Sequence, residues 1–171
     1  MTRESALVVP VPEAEPLVKD FRARFDPAAP AGLPAHVTVL YPFIAPEALD
    51  EPILAALAAI FAGVTPFDFV LSTISQFPDL VFLAPDPVER FSRLTAAIAT
   101  RWPETPPYGG IYSDVTPHLT VAHTSHGIEE IRKTLEPALP IACTARQAWL
   151  MIMRAGSWSV RRRFPFGATT P

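Results

Sequence analysis

The stretch PAHVTVLYPF, residues 34–43, decides the fold of this protein. In a β-strand, successive side chains point to opposite faces of the sheet. Val37 and Val39 therefore point to one side, and His36 and Thr38 point to the other. The alternation predicts a strand that buries its valine face in a core and presents an imidazole beside a hydroxyl on its second face.

The same pattern returns in PHLTVAH, residues 117–123. Here Leu119 and Val121 form the apolar side of the strand, and His118 and Thr120 form the polar side. A single short pattern of this kind often arises without any function. Two copies on strands of the same design instead favour one site that is built from both strands.

Composition limits the class of protein. The chain has 171 residues, 49% apolar and 18% charged, so we expect residues 1–171 to form one domain around a single core. The net charge of −3 argues against binding duplex DNA through a broad basic surface. The apolar run near the N-terminus is too short for a signal peptide or a membrane span. The single cysteine, Cys143, fits a reducing compartment, so we predict a cytoplasmic protein.

Hydrophobic periodicity predicts a mixed order of strands and helices. We expect strands at residues 6–11, 36–43, 66–75, 80–85, 118–123, 141–156 and 157–166. We expect helices at residues 13–25, 47–62, 127–136 and from an N-cap at Asp86 to about Trp102, with a long loop at 103–117. Each half has a helix, a His-bearing strand, a second helix and a hairpin. This order predicts an α+β protein with two lobes and mainly antiparallel sheet.

Two histidines beside two threonines suit the cleavage of a phosphodiester. Because an imidazole has an ordinary pKa of about 6.5, one ring can accept a proton from the attacking group while the other donates one to the leaving oxygen. Threonine hydroxyls can donate hydrogen bonds to the phosphate oxygens as negative charge develops. Since proton transfer does this work, we expect neither a metal nor another cofactor.

The paired H-x-T-x strands resemble those of the 2H phosphoesterase superfamily, specifically its 2'-5' RNA ligase-like group. The PPYGG loop before the second motif and the LYPF continuation of the first support the resemblance. It implies two pseudo-symmetric lobes with flanking helices, each lobe giving one motif strand to a central cleft. It also implies that His36 and His118 are the catalytic pair and that Thr38 and Thr120 bind the phosphate. Which histidine is the base and which the acid stays open.

The resemblance further implies the reaction and the partner. The group hydrolyses 2',3'-cyclic or 2',5'-linked nucleotide phosphodiesters and carries out reversible 2'-5' RNA ligation, so the expected partner is a nucleotide or an RNA terminus. We expect a monomer without membrane attachment. Two alternatives remain: a module that binds a nucleotide or RNA end with little turnover, and an interaction protein with a decayed site.

Two further sequence features leave their roles open. His123 and His126 follow His118 at H-x4-H-x2-H spacing, a weak metal pattern because no cysteine pair accompanies it. Arg161–Arg163 lie in a segment that has no acidic residue, and they could steer a phosphate or form a solvated strand edge.

The loop Tyr108–Gly110 also has two interpretations. It could form a lip over the cleft, with Tyr108 or Tyr112 stacking on a base, or it could be a plain turn on which these tyrosines pack.

Overall fold

The structure, a computed structural model, describes residues 3–112 and 115–167. Ser113 and Asp114, in the predicted loop at 103–117, lie outside the described residues. The strands are β1 (Glu4–Pro10), β2 (His36–Leu40), β3 (Phe67–Phe77), β4 (Leu80–Asp86), β5 (Leu119–Ala122), β6 (Ile141–Ala145), β7 (Gln147–Arg154) and β8 (Ser157–Pro165). The α-helices are α1 (Glu15–Phe25), α2 (Glu51–Ala62), α3 (Glu89–Arg101) and α4 (Ile128–Leu135), and 3-10 turns lie at Pro46–Ala48, Pro107–Gly110 and Glu136–Ala138.

These strands form one sheet in the order β6-β3-β4-β5-β2-β1-β7-β8, and every neighbouring pair is antiparallel. The order is symmetric about the contact between β5 and β2. One half of the sheet contains β3 to β6, and the other contains β1, β2, β7 and β8. The predicted α+β class with two lobes and antiparallel sheet is confirmed.

The helices cover one face of the sheet; the loop that leads into β2 covers part of the other face, which is called the open face below. In β1, Leu7 and Val9 belong to the main core, which also contains the apolar faces of all four helices. Ala6 and Val8 point the opposite way, into a small cluster with Met151. Among the described residues, no helix combines the length and the apolar character that crossing a bilayer requires.

Two helices cross between the halves. The helix α1, which connects β1 to β2, packs against β5, and α3, which connects β4 to β5, packs against β2. Hydrogen bonds fix both crossings: the backbone N–H of His123 donates to the Phe25 carbonyl (2.9 Å), and Thr95 Oγ1 donates to the Val39 carbonyl (2.7 Å). Each half therefore supports the central strand of the other.

The structure moves several predicted boundaries; the helix predicted at 47–62, for example, begins at Glu51. The strand predicted at 141–156 breaks at Arg146, because β6 pairs with β3 in one half and β7 pairs with β1 in the other. Asp86 is not a helix cap: it extends β4 opposite Val70, and α3 begins at Glu89. The fifth strand begins one residue later than predicted, so that His118 lies directly before it.

Candidate active site

The two motif strands are neighbours at the centre of the sheet. The strands β2 and β5 run antiparallel with Val37 opposite Leu119, and both side chains are fully buried under the helices. The apolar half of each motif is therefore placed as the alternation predicts. On the helix-covered face of the sheet, α1 packs against β5 and α3 packs against β2.

The register of this pair brings the four polar motif residues together on the open face. Continuing it by one residue on each side sets His36 opposite Thr120 and Thr38 opposite His118. The two histidines are then diagonal neighbours, about 7–8 Å apart at the backbone. The structure therefore forms one compact set from residues that are far apart in sequence.

Each motif strand contains a β-bulge directly after its threonine. The pairing of β1 with β2 skips Val39, and the pairing of β4 with β5 skips Val121. The extra residue places a second buried side chain, Leu40 or Ala122, after the valine. The bulges lie at matching positions in the two halves, so the in-out alternation of side chains ends directly after the threonine in both strands. Both threonines stay on the open face.

The tautomer of each histidine is fixed by a hydrogen bond to the backbone carbonyl two residues before it. His36 Nδ1–H donates to the Pro34 carbonyl (2.7 Å), and His118 Nδ1–H donates to the Thr116 carbonyl (2.7 Å). Because a carbonyl oxygen can only accept, Nδ1 carries the proton in both rings. Each ring therefore keeps Nε2 for a ligand.

Burial governs the protonation of both rings. It lowers the pKa of His36 to about 4; the hydrogen bond to the Pro34 carbonyl opposes this shift, and the positive charge of Arg22 adds to it. Burial also lowers the pKa of His118. Both imidazoles are therefore neutral at pH 7 when no anion is bound.

A buried ion pair lies beneath the loop that leads to His36. The sequence did not reveal it. The side chains of Arg22 and Asp26 are almost completely buried, with Arg22 Nε 3.0 Å from Asp26 Oδ2. Arg22 also donates to the Leu33 carbonyl (2.9 Å), and Asp26 accepts from the Ala28 backbone (3.0 Å). The i,i+4 spacing could have indicated the pair, but not its burial or its position beneath the loop that leads into β2.

Two phenylalanines form a wall beside the second histidine. The ring centroid of Phe82 lies 5.3 Å from that of His118, and Phe77 lies 6.1 Å from it. Phe77 is 43% exposed although it is a large apolar residue. No sequence signal indicates this wall. The alternation in β3 and β4 predicts which face each side chain is on, but it does not predict which strand lies beside them.

The loop at 107–110 borders the first motif. Tyr108 has φ of 51° and Gly109 has φ of 65°, so the chain turns sharply there. The Tyr108 backbone N–H donates to the Tyr41 carbonyl (2.6 Å), and the two rings pack edge to face at 6.4 Å. Burial raises the pKa of Tyr108, and the adjacent Thr38 side chain acts in the opposite direction. Tyr108 therefore lies at the edge of the site, whereas Tyr112 is exposed.

The other candidate residues lie outside the set of four motif residues, although the charge of His123 contributes to lowering the pKa of His118, after burial. His123 Nε2 is 3.8 Å from Asp26 Oδ1, and the described residues contain no cluster of three metal-binding side chains. Arg162 contacts Glu51 of α2 (3.3 Å) on the helix-covered face, while the guanidinium of Arg163 lies over the Trp149 ring (4.8 Å) on the open face.

The fold and the paired strands define a class of protein with two pseudo-symmetric halves that meet at matching His-Thr strands. A family model described as the 2'-5' RNA ligase superfamily matches residues 9–157 of the chain. The chain belongs to this superfamily, which places it among the 2H phosphoesterases and RNA ligase-like enzymes. The resemblance drawn from the motifs is confirmed.

Solved structures show the same fold. Escherichia coli LigT complexed with 3'-AMP is 14% identical and superposes with a TM-score of 0.64 over 97% of this chain and 99% of its own. A phosphoesterase is 15% identical, with a TM-score of 0.63 over 98% of this chain and all of its own. The Thermus thermophilus protein TT0787 is 16% identical, with a TM-score of 0.62 over 98% of this chain and all of its own. A comparison with curated proteins finds no match.

Proposed function

We propose that the protein is a metal-independent phosphodiesterase that acts on 2',3'-cyclic or 2',5'-linked phosphodiesters of a nucleotide or an RNA terminus. One observation carries the proposal: His36 and His118 are diagonal neighbours on an open face, and each has a free Nε2. A phosphate between the two rings would receive hydrogen bonds from Thr38 and Thr120. Escherichia coli LigT is complexed with 3'-AMP, ATP and NADP+ in its solved structures, and all three are nucleotides.

The reaction follows from these groups. In hydrolysis, Nε2 of one histidine takes a proton from water while the water oxygen bonds to phosphorus. The bond from phosphorus to the leaving ribose oxygen breaks, and the second histidine, protonated at Nε2, donates its proton to that oxygen. The threonine hydroxyls donate to the two non-bridging oxygens. If the 5'-hydroxyl of a second ribose replaces water in the attack on a 2',3'-cyclic phosphate, the same proton transfers form a 2'-5' linkage and release the 3'-hydroxyl. The reverse of this ligation is attack by that 3'-hydroxyl on the 2'-5' linkage, which re-forms the cyclic phosphate and releases the 5'-hydroxyl.

The environments of the two rings favour an assignment of roles. His36, with its pKa lowered to about 4, stays neutral and suits the base. His118 then acts as the acid, because the negative charge of a bound phosphate raises the pKa of the neighbouring imidazoles. The two roles exchange when the reaction runs backward.

Hydrolysis of 2',3'-cyclic AMP in the presence of EDTA tests the proposal. The wild-type protein should turn the substrate over, and His36→Ala and His118→Ala should each lose roughly 10²–10⁴-fold in kcat. Both variants should keep the wild-type circular dichroism spectrum. His126→Ala is the matched control, because this exposed histidine lies outside the site and its loss should leave kcat unchanged. Full activity in either site variant, or inhibition by EDTA, contradicts the proposal.

One observation favours a second candidate, a module that binds nucleotides with little turnover. With the pKa of both imidazoles lowered, the free protein holds no protonated acid at pH 7. Isothermal titration with 3'-AMP, beside the hydrolysis assay, separates the two. Binding that depends on Thr38 and Thr120 without measurable hydrolysis at any pH from about 4 to 8 would establish the module and exclude the enzyme.

A further inference from the structure

Two hydrogen bonds in series join the carboxylate of Glu15, in the first turn of α1, to the ring of His36. Glu15 Oε2 accepts from the Ala35 backbone N–H (2.6 Å), and the Pro34 carbonyl accepts from His36 Nδ1–H (2.7 Å). The Pro34 carbonyl and the Ala35 N–H belong to one peptide group. Because this group is trans, its N–H and its C=O point in opposite directions, so it connects Glu15 on one side to His36 on the other.

This series acts on the protonation of the His36 ring. A hydrogen bond from an N–H to a carboxylate is charge-assisted, and hydrogen bonds in series polarise one another, so Glu15 strengthens the Pro34 carbonyl as an acceptor. A stronger acceptor keeps the proton on Nδ1 and leaves Nε2 basic. Burial lowers the pKa of His36, and the hydrogen bond to the Pro34 carbonyl is the strongest effect in the opposite direction.

A second side chain of α1 holds the other side of Pro34. The buried guanidinium of Arg22 donates to the Leu33 carbonyl (2.9 Å), which belongs to the peptide group before Pro34. Both peptide groups that flank Pro34 are therefore bound by α1. A glutamate in the first turn also stabilises a helix through its dipole, but that effect does not require a hydrogen bond to the loop before β2.

The covalent structure of the second motif excludes the same arrangement at His118. The Thr116 carbonyl, which accepts from His118 Nδ1–H (2.7 Å), belongs to the peptide group that Thr116 forms with Pro117. Because proline has no backbone N–H, a carboxylate cannot accept a hydrogen bond from that peptide group. The two rings therefore make matching hydrogen bonds from Nδ1, but only the acceptor of His36 is strengthened by a charge behind it.

We propose that Glu15 is a positioning residue for His36: through the Pro34–Ala35 peptide group it keeps the proton on Nδ1, and so keeps Nε2 free to accept a proton from the attacking group. The inference rests on the proposed function and adds a difference between the two histidines. His36, supported in this way, is the base in hydrolysis, and His118 is the acid. Glu15 lies behind the peptide group and acts on the reaction only through His36.

Glu15→Ala tests the proposal with two measurements. Long-range ¹H–¹⁵N spectra of histidine-labelled protein at neutral pH, without substrate, report the tautomer of each ring. The variant should show a larger Nε2–H fraction at His36 and wild-type signals at His118. In the hydrolysis of 2',3'-cyclic AMP, kcat should fall roughly 10- to 100-fold while KM stays within about 3-fold, because a ring protonated at Nε2 cannot accept a proton there. Glu15→Gln keeps an oxygen acceptor without the charge, so both of its values should lie between those of wild type and Glu15→Ala.

Glu13→Ala is the matched control. Glu13 and Glu15 line the same cavity, of about 270 Å³, and Glu13 also accepts from a backbone N–H, but from that of Thr144 in the other half of the sheet (3.3 Å). Its loss removes the same charge and should leave both tautomers and kcat unchanged. Ala35 lines this cavity too, so water can replace the lost acceptor in Glu15→Ala and the circular dichroism spectrum should stay that of wild type.

An unchanged His36 tautomer or a wild-type kcat in Glu15→Ala overturns the proposal. Equal tautomer changes at His36 and His118, or an equal loss of kcat in Glu13→Ala, would show a general disturbance of the structure and overturn it as well. If the wild-type protein does not hydrolyse 2',3'-cyclic AMP, the proposed function fails for this substrate. The spectra then decide the role of Glu15 alone: a change confined to His36 supports it, and unchanged spectra exclude it.

Discussion

At the scale of single residues, local backbone geometry orients each of the two histidines proposed to be catalytic. Both rings donate from Nδ1 to the carbonyl two residues earlier, at Pro34 and Thr116. In the second strand entry, Pro117 favours extended backbone at Thr116, whose carbonyl accepts the hydrogen bond. In the first, the accepting carbonyl belongs to Pro34 itself. The four motif residues could be predicted from the sequence because this arrangement is local. The wall formed by Phe77 and Phe82 could not, since it depends on the pairing of other strands.

The lowered pKa values predict an acidic optimum for kcat/KM on 2',3'-cyclic AMP. Activity should rise with pH as His36 loses its proton near pH 4, and it should fall again as His118 loses its own proton, at a pH below about 6.5. The profile of kcat should lie at higher pH, because bound phosphate raises the pKa of both rings. A kcat/KM optimum above pH 7 would contradict these assignments.

The same burial predicts how stability depends on pH. In the unfolded chain His36 regains its ordinary pKa of about 6.5. Between about pH 6.5 and pH 4, the unfolded state is therefore protonated at His36 and the folded state is not. Wild-type stability should therefore be full above pH 6.5 and decline as the pH falls from about 6.5 to 4. His36→Asn, measured by thermal melts across this range, should lose less stability than wild type, and His126→Asn should follow wild type. Parallel curves for His36→Asn and wild type would exclude this burial effect.

At the scale of elements, the bulge that follows Thr38 in β2 is held by a hydrogen bond from a helix on the other side of the sheet. In β2, the carbonyl of the bulged Val39 accepts a hydrogen bond from Thr95 of α3. The helix therefore holds the point at which the strand changes its alternation. A sequence pattern does not show a bulge, because both Val39 and Leu40 fit an ordinary apolar strand.

Removing this link should reduce both stability and activity. Thr95→Val keeps the shape of the side chain and deletes its donor, which should cost about 1 kcal/mol and lower kcat several-fold. Thr134→Val is the matched control, because Thr134 bonds only to a carbonyl of its own helix, at Glu130 (3.0 Å). Denaturant titration and hydrolysis of 2',3'-cyclic AMP measure the two effects. A wild-type kcat in Thr95→Val would show that the bulge does not position the site.

At the scale of the whole molecule, the two halves share one sheet and exchange helices. The contacts of α1 with β5 and of α3 with β2 give neither half a separate core. We expect the halves to unfold together, because they share one core and one sheet. Tryptophan fluorescence, to which Trp149 and Trp158 of one half contribute beside Trp102, and far-ultraviolet circular dichroism should report the same midpoint in guanidinium chloride.

A substitution that creates a cavity under α3 gives a stricter test of this prediction. Leu94→Ala removes a buried side chain and should cost about 2–5 kcal/mol. Because α3 begins in one half and packs on the other, both signals should shift by the same amount. Separate midpoints would show that the halves are independent units.

Local sequence was enough to predict most of the strands and helices, the apolar face of each motif strand, and the four side chains proposed to carry the chemistry. These properties depend on alternation and on residue type. Only the folded chain shows that 141–156 divides between the two halves of the sheet, and that Arg163 faces the open side and Arg162 the helices. The side-by-side position of His36 and His118 is likewise a tertiary property. Strand pairing between distant segments is selected by how completely their apolar faces are buried in one core, and no short stretch of sequence contains that information.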